Sequence, residues 1–340
     1  MHFLANYGLF LLKVATILIA IIILLLVSVA LGMRKKVQAR GTLRVKKLNR
    51  RYRHLKLTIE NAILSKKAAK HLAKQTKKEE KASTKAPATK KRIFVLSFNG
   101  DMKCSQVISL REEVTALLLV ATAADEVVIC LESPGGMVHG YGLAASQLQR
   151  LRERNIPLTV CVDKVAASGG YMMACVANKI IAAPFAIVGS IGVVMQLPNF
   201  HRLLEKNNVE YEQITAGEYK RTLTMFGKNT DKDREKVHEE VEATQVLFKE
   251  FIKEHRPIVN IDQVATGEHW FARQAIEFKL VDSLQTSDDY LLNASQTADL
   301  YSVKYELKKS FTQKLGRFSD AMVETFFTKL AQKDLEQRYS

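Results

Sequence analysis

Between Arg34 and Arg92 this 340-residue sequence has only three acidic residues, Glu60, Glu79 and Glu80, against 22 lysines and arginines, a local charge of +19. The whole chain carries +16, so everything outside that stretch sums to −3. A nucleic-acid-binding domain presents its cations on a folded face. Here the folded remainder is slightly acidic, which excludes nucleic acid as the expected partner.

Cysteine is scarce as well. Cys104, Cys130, Cys161 and Cys175 form no C-x-x-C pair, and no Cys/His spacing resembles a zinc site, so no metal is expected. Cys130 and Cys161 fall in apolar runs that read as buried strands, and all four read as structural thiols. No repeat recurs at a fixed period. Also missing is a histidine in an Asp-oriented context. Of the eight, His2, His54 and His71 lie before the folded part, and His238 and His255 sit in a charged stretch. His139, after a glycine turn, and His201, at a helix start, could approach a crevice, but neither has an Asp-oriented context, so a Ser–His–Asp triad is not forced.

One long apolar run is present. Val14–Met33 has 20 uncharged residues, about the length that spans a bilayer as a helix, and is too long for a signal-peptide core. Residues 8–33 are therefore expected to be a retained transmembrane anchor, making the lipid bilayer a partner. Arg34, Lys35, Lys36, Arg40, Arg44, Lys46 and Lys47 follow it, against Lys13 alone before it, and the positive-inside rule then puts the body in the cytoplasm. Residues 34–92 divide into a basic juxtamembrane helix to about residue 64, suited to anionic headgroups, and a Lys/Ala/Thr-rich linker.

At Ile93 the texture changes. Ile93–Phe98, Glu126–Leu131, Leu158–Val162 and Lys179–Ala183 read as strands. Stretches 109–124, 138–154, 231–254 and 272–279 read as helices. Continuous apolar strands alternating with helices predict an α/β fold with a buried parallel sheet. The body is expected over 93–290, with a helical extension over 291–340.

Two glycine turns follow neighbouring buried strands. Ala166-Ala167-Ser168-Gly169-Gly170 places a serine at a helix start, where free amides and a partial positive charge suit an oxyanion. Serine is equally a common helix cap, and from local sequence alone both readings of Ser168 stand open. Ser133-Pro134-Gly135-Gly136 is either a second source of oxyanion donors or simply a tight turn. Turns at the carboxyl ends of parallel strands line the ligand crevice of open sheets. A serine nucleophile needs a base. A lysine can serve when burial brings its ammonium toward neutrality.

From Ile93 to about Leu284 the chain resembles the signal peptide peptidase A family of serine peptidases. The resemblance rests on Glu132-Ser133-Pro134-Gly135-Gly136, Val165–Tyr171 around Ser168, Val188-Gly189-Ser190-Ile191-Gly192-Val193, Gly217-Glu218-Tyr219-Lys220, and Phe271–Ala275 with Leu280-Val281-Asp282, in that order. It implies a ClpP/crotonase-like spiral of ββα units. It also implies Ser168 as nucleophile, Lys220 as general base, and an oxyanion hole from Gly169 with Gly135 or Gly136, with Thr222, Thr224 or Ser190 as candidates to orient the lysine. Lys220 closes the turn after an expected strand, Val209–Thr215. The implied activity is endopeptidase cleavage of peptides or membrane-derived fragments such as signal peptides, through an acyl-enzyme and without a cofactor. A homo-oligomer in a bacterial inner membrane is implied too, with the catalytic body outside the cytoplasm by family analogy. Met137, Tyr171 and Met195 are candidates for apolar crevice lining. A crotonase-type acyl-CoA enzyme and a non-catalytic membrane scaffold on the same fold are the rivals.

Overall fold

The computed structural model describes residues 12–14, 16–20, 41–65, 67–68, 74 and 90–307. Residues 43–305 form one compact unit; the stretches 1–42 and 306–340 form a second. Most of the expected anchor, and almost all of the linker, lie outside the described residues. Among those described, no helix is long and apolar enough to cross a membrane.

The first strand, β1 (Thr42–Lys47), leads into helix α1 (Leu48–Ile63). Sequence reading had one basic helix from residue 34. Thr42 and Val45 are instead β-formers at a sheet edge, and the helix begins where Leu48 and Tyr52 find an apolar surface to cover. There follow β2 (Arg92–Asn99), α2 (Val107–Leu118), β3 (Glu126–Glu132) and α3 (Val138–Glu153). Next come β4 (Leu158–Val162), β5 (Val165–Ala167), α4 (Gly169–Ala174), β6 (Lys179–Ala182) and β7 (Ile187–Gly189). Then come α5 (His201–Lys206), α6 (Asp231–His255), α7 (Ile261–Val264), β8 (His269–Phe271), α8 (Ala272–Ala275), β9 (Ser283–Leu284), α9 (Ser287–Thr297) and β10 (Asp299–Glu306).

Seven strands form the main sheet in the order β1-β10-β2-β3-β4-β6-β9, and β5-β7-β8 form a smaller one. From β10 to β9 every neighbouring pair is parallel. This is the α/β architecture expected. The chain alternates between sheets, from β4 to β5 and from β6 to β7, and a bridge between Ser133 and Ala166 ties the end of β3 to β5.

Burial on both faces explains the unbroken apolar strands. Val127, Ile129 and Leu131 of β3 join the core under α2, α3 and α4. Val128, one residue out of phase, joins the second core with Leu291 of α9 and Leu300 of β10.

Three boundaries differ from the sequence reading. The expected strand Val209–Thr215 is absent: residues 207–230 hold only turns and bends, largely exposed. The helix expected over 272–279 stops at Ala275. The extension expected to be helical over 291–340 begins inside α9, but residues 299–306 form a sheet strand, since β10 pairs in register with β2.

Candidate active site

The two glycine turns meet. β3 delivers Ser133–Gly136 and β5 delivers Ser168–Gly169 at the carboxyl ends of parallel strands, and the Ser133–Ala166 bridge fastens one to the other. Ala167 N–H donates to the Ser133 carbonyl at 3.0 Å, and Ser168 N–H to the Gly189 carbonyl at 2.7 Å. Held from both sides, Ser168 adopts φ 52°, ψ −120°. A non-glycine residue there costs about 1–3 kcal/mol and persists only where its surroundings impose it.

Helix capping does not account for this serine. Ser168 occupies the cap position of α4, yet its side chain makes no capping hydrogen bond. Among the described residues its hydroxyl has no hydrogen-bonded partner, and it faces a cavity of about 290 Å³. Gly136 and Gly169 line the same cavity. Their amides donate to no acceptor among the described residues, whereas the Gly135 amide already donates to Ser133 Oγ at 3.1 Å. Of the three glycines nominated from sequence, two offer free donors and one holds the turn.

The apolar wall comes from an element that looked merely charged in sequence. Leu247, Phe248 and Phe251 of α6 line the cavity, with Val138, Met172 and Val193. Their spacing along α6, with Thr244, is i, i+3, i+4, i+7, a legible helical stripe inside a charged run. Met137, Tyr171 and Met195, guessed as lining, are not there. Met137 and Met195 are exposed; Tyr171 is fully buried and donates its hydroxyl to the Leu280 carbonyl at 3.0 Å.

Among the described residues no histidine, lysine or carboxylate lines the cavity. Lys220 is exposed in the 217–220 turn, its amide donating to the Gly217 carbonyl at 3.2 Å. No hydrogen bond among the described residues joins its ammonium to Ser190, Thr222 or Thr224; the Thr224 hydroxyl instead accepts from the amides of Phe226 and Gly227. The structure thus brings Ser168 together with the amides of Gly136 and Gly169 and leaves Lys220 exposed, outside the cavity. His139 and His201 lie outside the cavity.

Among the described residues no group of acids, histidines and cysteines is arranged to hold a metal ion. All four cysteines are free. Burial pushes the Cys104 and Cys130 thiols up to about 11, and those of Cys161 and Cys175 higher still.

Residues 2–148 match the family described as Peptidase family S49 N-terminal, and residues 150–301 match Peptidase family S49. A Haemophilus influenzae protein named "Probable protease SohB" is 47% identical over 327 residues, covering 92% of either chain. A Buchnera aphidicola (subsp. Acyrthosiphon pisum) protein of the same name is 46% identical over 335 residues, covering 97% of this chain and 99% of that one. Among solved structures, a mutant of the membrane-bound stomatin-specific protease 1510-N with a substrate peptide is 15% identical, with a TM-score of 0.42 over 68% of this chain and 98% of that one.

Proposed function

Because this chain belongs to peptidase family S49, and its extensive relatives are named proteases, we propose that it is a membrane-anchored serine endopeptidase built on a ClpP/crotonase-like spiral, with Ser168 as nucleophile and Lys220 as base. The observation that carries this reading is the uncapped Ser168. It is a strained residue whose hydroxyl is free, beside the free amides of Gly136 and Gly169.

In the proposed reaction the Lys220 amine takes the Ser168 proton as Oγ attacks the scissile carbonyl carbon. The negative oxygen is met by the Gly136 and Gly169 N–H groups. The tetrahedral intermediate collapses, the lysine proton goes to the leaving amine, and the acyl chain remains on Oγ. Water, deprotonated by the same amine, then attacks the ester, and Ser168 leaves with its proton restored. A lysine acts as a base only when removed from water, so the exposed Lys220 turn has to be covered. A second copy of the chain, with the bound peptide, is the proposed cover. The apolar cavity wall suits extended peptides with apolar side chains, the composition of signal-peptide fragments, and Val14–Met33 is the proposed anchor in a bacterial inner membrane.

A fluorophosphonate probe applied to the full chain in membranes tests the reading. Wild type labels at Ser168, whereas Ser168→Ala neither labels nor cleaves casein. Lys220→Ala folds but loses about 10³-fold or more in kcat, within the range seen on removing a member of such a catalytic unit. Casein cleavage that survives both substitutions would overturn the dyad.

A further inference from the structure

Tyr141 lies beneath the cavity and touches both of its turns. The side chain is fully buried in α3. Its ring packs under Gly169, where an added Cβ would come within 2.4 Å of the ring. Its hydroxyl lies 2.6 Å from Ser133 Oγ and donates to the Asp101 carbonyl at 2.9 Å. Ser133, also fully buried, accepts the Gly135 amide at 3.1 Å.

These contacts fix where every proton sits. The Asp101 carbonyl can only accept, so the single phenolic proton of Tyr141 points at it. The Ser133–Tyr141 bond must then use the Ser133 proton, and Ser133 Oγ keeps its lone pairs for the Gly135 N–H. The chain runs one way: Gly135 N–H to Ser133, Ser133 O–H to Tyr141, Tyr141 O–H to Asp101. Burial raises the Tyr141 phenol above its ordinary range, which keeps that proton in place. No member is left unpaired, the condition under which a buried polar network rigidifies its surroundings.

Both free amides adjoin groups this chain holds. Gly136 follows Gly135, whose amide is its first member. Gly169 rests on the Tyr141 ring. On the reading that Ser168 is the nucleophile, we propose that Tyr141, acting through Ser133, is the positioning residue that sets the two halves of the oxyanion hole relative to one another. The Gly135 amide is accordingly a structural donor and not a third oxyanion donor.

Tyr141→Phe and Ser133→Ala, in the full chain in membranes, test this. Tyr141→Phe takes one oxygen and strands the Ser133 proton; Ser133→Ala strands the Gly135 N–H. Deleting an oxyanion donor outright costs about 10²–10³ in kcat, so mispositioning is expected to cost about 10- to 100-fold. KM should stay within about two-fold, and the inhibition constant of a peptide aldehyde, whose Ser168 adduct presents a tetrahedral oxygen, should weaken by the same factor as kcat. The double variant should lose no more than the worse single one, because the bonds act in series. A merely structural role would lower the melting temperature without the matched loss in kcat and aldehyde binding. Wild-type kcat and aldehyde inhibition in either folded variant overturns the inference. Should Ser168→Ala retain activity, the nucleophile reading itself fails; if it is inactive while Tyr141→Phe is unchanged, only the positioning role fails.

Discussion

Gly135 lies directly against Ser168: a Cβ built on Gly135 would sit 2.7 Å from Ser168 Cβ and 2.8 Å from the Ala167 carbonyl oxygen. Gly135 also has φ +91°, a region side chains rarely adopt. Gly135→Ala is therefore expected to push the Ser168 turn away from the Gly136 amide. The variant should still fold but lose about 10²-fold or more in kcat/KM, the scale of a 1 Å misplacement. Peptide hydrolysis and a thermal melt on the same preparation check this; wild-type activity would show that the two turns move independently.

Thiol chemistry should leave the enzyme untouched. Burial holds Cys104 and Cys130 up at about 11, so at neutral pH roughly one thiol in 10⁴ is ionised, and the thiolate is the reactive form. Iodoacetamide at pH 7 is expected neither to label the native protein appreciably nor to slow it, while a fluorophosphonate silences it. Inactivation by the alkylating agent would place a cysteine at the chemistry.

The fold was largely readable because β2, β3 and β4 are buried on both faces, so their apolar runs are continuous and α/β alternation follows. The Ser168 turn was readable as a position, and its role as nucleophile came from the family resemblance; local sequence alone left nucleophile and cap open, since a cap is recognised by whether the hydroxyl bonds its own helix. That is a torsion angle, invisible in the letters Ser-Gly-Gly. The Ser133–Tyr141–Asp101 chain was invisible for another reason: it joins residues 40 positions apart in sequence, and none of the three is unusual alone. The α6 stripe was legible but was masked by the many charges around Leu247, Phe248 and Phe251. The edge strand β1 was missed because it is largely exposed and paired on one side only, and β10, though it lies between β1 and β2, mixes a few buried residues with half-buried polar ones, so the apolar pattern of both is weak.

Leu247 tests the apolar wall without disturbing the core. It lines the cavity while remaining 65% exposed, so Leu247→Lys should change stability by no more than about 0.5 kcal/mol. It puts a charge where an apolar substrate side chain would rest, and desolvating that charge is costly. The expected outcome is a fall of about 10-fold or more in kcat/KM for peptides with apolar side chains near the cut, with a smaller change for acidic ones. Equal effects on both peptide classes would mean that substrate does not use this wall.

The base of the sheet should respond to acid. The Arg92 guanidinium forks onto Asp125 (Nε–Oδ1 2.7 Å, Nη2–Oδ2 2.5 Å), and Asp125 also accepts from the Thr122 amide and hydroxyl. Burial alone would push this carboxyl up; the Arg92 and Thr122 bonds outweigh it and hold it below the usual carboxylate range. A depressed folded value stabilises above the unfolded pKa of about 4 and is lost as pH falls below it. Urea midpoints between pH 6 and 3 should therefore drop for wild type. Arg92→Gln should start lower by about 1 kcal/mol, a modest figure because Arg92 is itself partly exposed, and should show a shallower drop. Parallel curves would exclude the pair as an acid-labile contact.

Truncation separates the two views of the C-terminal region. Were residues 291 onward an appended extension, a chain ending at residue 290 would fold and cleave. The structure instead puts β10 between β1 and β2, with Leu300 and Val303 buried and Leu300 opposite Ile93. Removing β10 exposes the edge of β2 and takes Leu300 from the second core, where each such side chain is worth about 1.5–3 kcal/mol. It also takes the acceptor of Lys47, which bonds Asp299 at 2.7 Å, and the partner of Asn49, which accepts the Leu300 amide at 2.8 Å. Against a typical total stability of about 5–15 kcal/mol, these losses are too large to absorb. The chain ending at 290 is expected to be degraded or aggregated on expression, whereas full-length Leu300→Ala should fold with a loss of about 2–4 kcal/mol in urea unfolding. A stable, active 290-residue chain would return β10 to the status of an accessory strand.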